Sequence, residues 1–380
     1  MKILFISILM FIAPAASSQG LDPILASSQA LSRSPLPQGA SAELLQQISA
    51  HNQNQAILFQ PTESEQNLRP FAEYETTGYV VFSDGEFSGY ATEIKKRIAE
   101  ELDPSVTLII YTQSTDKNYQ RSLFNKYSQY IPQDRLKIME VPESGRNDFW
   151  SRDNLPLPVW NSDKMNLVDA RYYYNFEPDE FFANAFSVAL SHHNFFFEGG
   201  NFIVNALGDC IVVNRRRSYP GGTSDTAAIP DSVFHNQYGC SNLIRLKHLK
   251  GIGHADEVVK FLSDKVVVTD TEAYVSILEQ QGFEVHLLPE PDRDYETYAN
   301  SLQVNQTLFI PSFGESGDQE ALDLFQQLLP GYKIVALPTR RLATGGQGGI
   351  HCITMNYPDV PLQEFVESFS GRLLSFHSQK

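Results

Sequence analysis

Residues 78–112 read GYVVFSDGEFSGYATEIKKRIAEELDPSVTLIIYT. Gly78–Phe82 and Val106–Thr112 are short runs rich in β-branched and aromatic residues, the pattern of buried strands. Between them Tyr90–Leu102 has the apolar spacing of an amphipathic helix. Strand, helix, strand is a β/α unit, and the alternation continues outward. A second helix is predicted through Tyr119–Tyr130, and Phe202–Asn205 with Cys210–Asn214 reads as a hairpin turning at Leu207-Gly208-Asp209. Lys265–Val268, Thr307–Pro311 and Lys333–Leu337 are further strands, with helices over Glu272–Gln281 and Asp318–Leu329 between them. The fold class predicted is α/β. No fixed-period sequence repeat accompanies the recurring strands.

At 380 residues the chain is long for one layered domain, and a prior of about 150 residues per domain suggests two or three units. With 42% hydrophobic and 12% aromatic residues it can bury a large core, which excludes a disordered or fibrous chain. Lys plus Arg total 29 against 45 Asp plus Glu, a net charge of −16. Such a surface repels phosphate backbones and anionic lipid, so nucleic-acid and membrane-surface partners are not expected, whereas cationic ligands are attracted. Three cysteines make neither a disulfide scaffold nor a zinc module. Cys210 and Cys240 are a natural disulfide pair if Cys352 is needed free, or two buried thiols.

Lys2, the apolar run Ile3–Ile12 and the small residues Ala13–Ser18 form a secretory signal over residues 1–18. The run is about half the 20 residues that span a bilayer, so a cleaved leader is expected and not an anchor. The expectation is an exported protein, periplasmic or secreted, with no stable membrane association. Residues 19–66 are rich in Ser, Gln, Ala, Asn and Pro, with a weak helical patch at Ala42–Ile48. They read as a flexible arm. Residues 67–380 carry the folded part.

Four glycine-associated polar segments stand out there: Phe149–Asn154, Phe197–Asn201, Gly251–Glu257 and Gly345–Thr354. Taken singly, each has an ordinary structural explanation as a turn, a salt bridge or a buried thiol. Taken together they supply one thiol, one imidazole and at least three carboxylates, which is a catalytic inventory. A Cys–His pair makes an activated thiolate, and acidic walls suit a cationic substrate. Gly345–Gly349 is not followed by Gly-Lys-Ser/Thr, so phosphate binding is not expected. His254 and Asp256 lack a partner His or Cys at ligand spacing, so neither a metal nor a cofactor is expected.

The ordered motifs Trp150-x-Arg-Asp153, Glu198-Gly-Gly-Asn201, Gly253-His254-x-Asp256-Glu257, Tyr298-Ala-Asn300-Ser301-Leu302 and Gly-Gly-x-Gly-Gly-Ile-His-Cys352-Ile-Thr resemble the guanidine-modifying superfamily. They are most similar to the bacterial, Porphyromonas-type peptidylarginine deiminases and the agmatine deiminases. The resemblance runs from about Arg69 to Pro358. It implies a five-bladed α/β propeller (the pentein fold), with pseudo-fivefold β/α units around a central site, and therefore one catalytic domain in place of two. By the same resemblance Cys352 is the nucleophile and His254 the general acid/base. Asp153 and Asp256 grip the guanidinium, and Glu198 orients the imidazole. Asn300 positions the substrate, and Trp150 walls its aliphatic stem. Two opposed carboxylates suit a planar, always-protonated fork of five donors. The implied activity is deimination of arginine in peptides or proteins to citrulline through a covalent thiouronium. The alternatives are an agmatine or small-guanidine deiminase, and a non-catalytic binder of Arg-rich partners. Two departures bear on the substrate. Asn154-Leu155-Pro156 follows Asp153 where agmatine deiminases have Thr-Gly-Pro, and His254-Ala-Asp256-Glu257 is nearer the protein-arginine enzymes. No Arg pair follows Asn175, so no clamp for a C-terminal carboxylate is expected.

Overall fold

A computed structural model describes residues 42–61, 67–141, 149–172, 178–215, 225–363 and 372–374. The predicted leader, most of the predicted arm and the stretch around Asn175 lie outside the described residues.

Each of five sheets is built on the same unit. A first strand pairs antiparallel with a second, a helix crosses over, and a third strand pairs parallel with the second. In the first unit these are Leu157–Asn161, Lys164–Arg171 and Leu190–Phe196, with the helix Asp179–Phe186 crossing over. The second has Ile203–Val204, Asp209–Asn214 and Asn242–Lys247 around Asp231–Tyr238. Val259–Phe261, Val266–Thr269 and Glu284–Leu287 with Glu272–Gln280 form the third. Leu302–Val304, Thr307–Ser312 and Lys333–Pro338 with Gly317–Leu328 form the fourth. The fifth takes its first strand, Met355–Pro358, from the far end of the sequence and pairs it with Thr77–Ser83 near the start. Thr107–Thr112 and Leu136–Glu140 continue that sheet in parallel. This is the five-bladed α/β propeller that the motif resemblance implied. Its first strands begin at Leu157, Ile203, Val259, Leu302 and Met355, at unequal intervals, which is why the repeat does not show as a period in the sequence.

The predicted outer strands and helices lie within a few residues of the observed ones. Thr77–Ser83 is buried along its whole length, as strands covered on both faces must be. Of the two alternatives left open for Cys210 and Cys240, the disulfide is the one formed, within the second blade. One expectation changes: the predicted arm contains a 17-residue helix, Ala42–Leu58, well beyond the patch ending at Ile48. This helix docks through Asn52, which is fully buried and bridges the strand Leu190–Phe196. Its amide N–H donates to Phe196 O at 2.9 Å and to Asp225 O at 3.2 Å, and its oxygen accepts from Phe196 N at 2.8 Å. His51 adds a contact from Nε2 to Asn194 O at 2.7 Å. The helix is held by polar bridging of a strand edge and not by a broad apolar face, so hydrophobic periodicity does not reveal it.

Asn52→Ala leaves buried backbone groups of Phe196 without a partner and is expected to cost about 1–3 kcal/mol in denaturant unfolding. Ile57, 79% exposed on the same helix, is the control: Ile57→Ser should change stability by no more than about 0.5 kcal/mol. Equal, negligible effects from both would mean that the helix does not dock.

Candidate active site

Every motif occupies the same place in its blade, the turn that enters the first strand. Ser151–Asn154, Gly199–Asn201, Ala255–Glu257, Asn300 and Gly349–Thr354 directly precede the five first strands. The ring therefore brings residues two hundred positions apart into contact. Arg152 N donates to Cys352 O at 3.1 Å, Gly200 N to Asp153 Oδ1 at 3.1 Å, and Ala255 N to Asn201 Oδ1 at 3.1 Å. All seven residues singled out in the sequence meet here, each 6% exposed or less.

His254 is wholly buried, and its two ring nitrogens face different surroundings. Nε2 lies 3.1 Å from Glu198 Oε2, the placement expected of an orienting acid. Nδ1 has no hydrogen-bond partner among the described residues and faces Asp153 Oδ1 at 3.6 Å and Asp256 Oδ1 at 4.0 Å. Asp256 Oδ1 is itself unpartnered. These polar atoms converge on Gly200, where only a residue without a side chain fits. A Cβ built there would stand 2.6 Å from Asp153 Oδ1, 2.8 Å from His254 Nδ1 and 3.2 Å from Asp256 Oδ2. A buried acid–acid–imidazole cluster suits a planar cation that donates several hydrogen bonds.

The thiol borders that cluster. Cys352 Sγ lies 3.6 Å from Asp256 Oδ2 and receives Asn300 Nδ2 at 3.1 Å and Gly349 N at 3.4 Å. Asn300, for which the resemblance implied a substrate-positioning role, also donates through its amide nitrogen to Asp256 O at 3.2 Å and accepts His351 N at 3.0 Å, so it anchors the Cys352 loop. Trp150 likewise underlies that loop. Gly348 is the reason the indole fits, since a Cβ there would come 2.6 Å from Trp150 Cζ3 and 3.3 Å from Cys352 Sγ.

Four polar residues without an expected role complete the site: Arg215, His351, Glu73 and Lys260. Arg215 forms an ion pair with Glu198, and its Nη1 lies 3.1 Å from His254 Nε2. His351 bridges two acids, with Nδ1 2.8 Å from Asp256 Oδ2 and Nε2 3.0 Å from Glu73 Oε2. The imidazole thus ties the two acids together across the centre of the ring of blades. Lys260 closes the chain 3.0 Å from Glu73. Sequence offered little signal for these. Arg215 begins a run of three arginines, His351 was visible only as the neighbour of Cys352, and Glu73 joins through partners 187 and 278 residues away.

The electrostatics are those of a site awaiting a positive charge. Burial, then the charges of Asp256, Asp153 and Glu257, push the Cys352 thiol well above its ordinary value. Burial lowers His254, helped by Arg215 and opposed by Asp153. Asp153 is raised by burial against the pull of His254. Glu73 goes the other way: despite its burial, Lys260 and His351 hold it well below the carboxylate range. Asp153, Glu198 and His254 offer ligand atoms within 4.8 Å of one another. However, Arg215 already neutralises Glu198, and a divalent ion would sit beside a guanidinium.

With Cys210 and Cys240 joined, Cys352 is the chain's one free thiol. Its alkylation by iodoacetamide should stay slow at neutral pH and rise only above the ordinary thiol value of about 8.5. Asp256→Asn removes a like charge and should move that rise toward lower pH. A midpoint near 8.5 in both proteins would contradict these electrostatics.

The comparisons agree with this geometry. A Legionella pneumophila (strain Paris) protein provisionally named agmatine deiminase is 33% identical over 273 residues, 59% of this chain and 75% of that protein. A Vibrio parahaemolyticus protein with the same provisional name is 45% identical over a local 62 residues, 16% of this chain and 17% of that protein. C. jejuni agmatine deiminase in a substrate-bound form superposes with a TM-score of 0.63 at 17% identity, covering 77% of this chain and 97% of that one. Residues 83–358 match the model of the Porphyromonas-type peptidyl-arginine deiminases. The chain belongs to that family, within the guanidine-modifying superfamily, and is a guanidino-group deiminase that hydrolyses an amidine C–N bond.

Proposed function

We propose that the protein deiminates a small alkylguanidine of the agmatine class, releasing ammonia and the corresponding ureido compound. The buried cluster beside Gly200 carries this reading: Asp153 and Asp256 set two carboxylates around His254 Nδ1, and the Cys352 thiol stands 3.6 Å from Asp256 Oδ2. A slim alkyl chain reaches such a site more readily than a folded protein's arginine. The relatives named for agmatine support the same choice. The family's description names peptidyl arginine, and the His254-Ala-Asp256-Glu257 motif leans that way, so peptide deimination is the competing reading.

The chemistry follows from the resting protonation states. A guanidinium held by Asp153 and Asp256 offsets the carboxylate charges that keep the thiol protonated, so the proton moves from Sγ to His254. The thiolate attacks the guanidinium carbon and forms a C–S bond. As the tetrahedral adduct collapses, a C–N bond breaks and His254 returns the proton to the departing ammonia. The thiouronium then accepts water, which gives a proton to His254. Breakage of the C–S bond yields the ureido product and restores the thiol. Glu198 and Arg215 hold Nε2, leaving Nδ1 to work. Export belongs to the proposal. The leader composition of residues 1–18 supports it, and so does the Cys210–Cys240 disulfide, because such bonds persist in oxidising compartments.

Assaying ammonia and ureido product from agmatine, free arginine and an internal-arginine peptide tests the substrate class. Agmatine should be turned over and the peptide should not; turnover of the peptide alone would overturn the reading. Gly200→Ala tests the cluster. Its methyl group invades the space among the three polar side chains, an overpacking cost of about 1–3 kcal/mol, so kcat/KM should fall roughly 10- to 100-fold with the fold retained. Unchanged kinetics in that variant would place the guanidinium elsewhere.

A further inference from the structure

The strand Leu190–Phe196 is the outer strand of the first blade, and its pairing shifts register just before the Glu198 turn. Ala170 pairs with His193 but Arg171 with Phe196, so Asn194 and Phe195 fall between paired positions. Irregularities of this kind re-aim the chain and leave backbone groups without ladder partners. The helix Ala42–Leu58 takes up those groups. Asn52 meets both the N–H and the C=O of Phe196, as a neighbouring strand would, and His51 reaches Asn194 O. The His51 ring stands edge-on to the Phe196 ring at 5.1 Å, and Phe59 packs edge-on to Phe195 at 5.7 Å. This helix lies before residues 83–358, so none of the family's motifs includes it.

Asn52 holds the Glu198 turn at both ends. Phe196 stands two residues before Glu198. On the other side Asn52 donates to Asp225 O, and the next residue, Thr226, receives Asn201 Nδ2 on its hydroxyl at 3.1 Å. Asn201 closes the turn Gly199–Asn201, and its oxygen accepts Val213 N at 2.8 Å and Ala255 N at 3.1 Å. The turn is thereby joined to the strand that leads into Arg215 and to the turn that carries Asp256. Within this frame stands Glu198, whose Oε2 lies 3.1 Å from His254 Nε2. We propose that Asn52 is a positioning residue for the deiminase: by pinning Phe196 and Asp225 it fixes the Glu198 carboxylate against His254, and turnover depends on the helix Ala42–Leu58 through that contact. The proposal rests on the deiminase chemistry of the family and not on which guanidine is the substrate. A misplacement of about 1 Å caused by a change far from the chemistry costs roughly 100-fold in rate, so a remote amide has leverage on the imidazole.

The test is a double-mutant cycle in kcat with Asn52→Ala and Glu198→Gln. It uses the purified full chain below the onset of unfolding, with whichever of agmatine, free arginine or the arginine peptide the wild type turns over. Asn52→Ala should lower kcat roughly 10- to 100-fold with KM within about threefold of the wild type. In the Glu198→Gln background the same substitution should cost no more than about twofold, because the contact it supports is already lost. Ile57→Ser, exposed on the same helix, should keep the kcat of its parent in both backgrounds. Thr226→Val removes the hydroxyl that receives Asn201. It should repeat the pattern with a smaller loss and serves if Asn52→Ala fails to fold. A folded Asn52→Ala with wild-type kcat, or an equal loss with and without Glu198→Gln, overturns the positioning role and leaves the deiminase assignment standing.

Discussion

The antiparallel pairing of Met355–Pro358 with Thr77–Ser83 closes the ring, and the site depends on it. Its register sets Met355 opposite Val81, Asn356 opposite Val80 and Tyr357 opposite Tyr79. Cys352 stands three residues before this strand, so the same ladder that joins the chain's distant ends also places the thiol. Arg152 reinforces it from the first blade, donating its backbone N–H to Cys352 O at 3.1 Å and its guanidinium to Asn356 Oδ1 at 2.9 Å. With the ring closed, five entry turns face one centre. None of them needs to be long, because blade geometry supplies the convergence. Contacts of such large sequence separation form late and at an entropic cost, so the buried strand Thr77–Ser83 must supply much of the compensating burial.

That geometry imposes an electrostatic cost that the site turns to use. Asp153, Asp256 and Glu257 are buried together around a thiol, an arrangement that burial and like charge both oppose. Two cationic supports accompany it. Arg215 neutralises Glu198 behind His254, and His351 with Lys260 balances Glu73 behind Asp256. Arg215 stands at the Nε2 side of His254, and His351 holds Asp256 Oδ2, the oxygen next to the Cys352 thiol. Burial and the charges of Asp256, Asp153 and Glu257 all raise that thiol, so a positive charge placed among these acids would lower it.

The outer parts of each blade were legible in sequence because they obey local rules. Val266–Thr269 and Thr307–Ser312 are apolar runs, and Glu272–Gln280 and Gly317–Leu328 carry helical periodicity. Of the inner strands, Ile203–Val204 was legible through its hairpin, but Val259–Phe261 and Leu302–Val304 were not, since three residues are too few to show alternation. The five motifs were readable since chemistry constrains residue type and order. Their supports were not. Arg215, His351, Glu73 and Lys260 act through ion pairs made across the ring, and nothing local distinguishes such a residue from a surface charge. Asn52 illustrates the same limit for stability, since a strand-bridging amide leaves no hydrophobic signature in a Ser- and Gln-rich stretch.

Asn300 and Trp150 bear on where specificity resides. Both belong to the motifs by which the family is recognised, yet Asn300 spends its amide on Cys352, His351 and Asp256, and Trp150 packs beneath Gly346 and Gly348. The shared motifs therefore build a device for attacking a guanidinium and are silent on what the guanidinium is attached to. That choice falls to residues beyond the conjunction of Cys352, His254, Asp153 and Asp256. Likeness in the motifs therefore carries reaction class further than it carries substrate class, because the contacts among the motif residues are spent on one another and on the loop that holds the thiol.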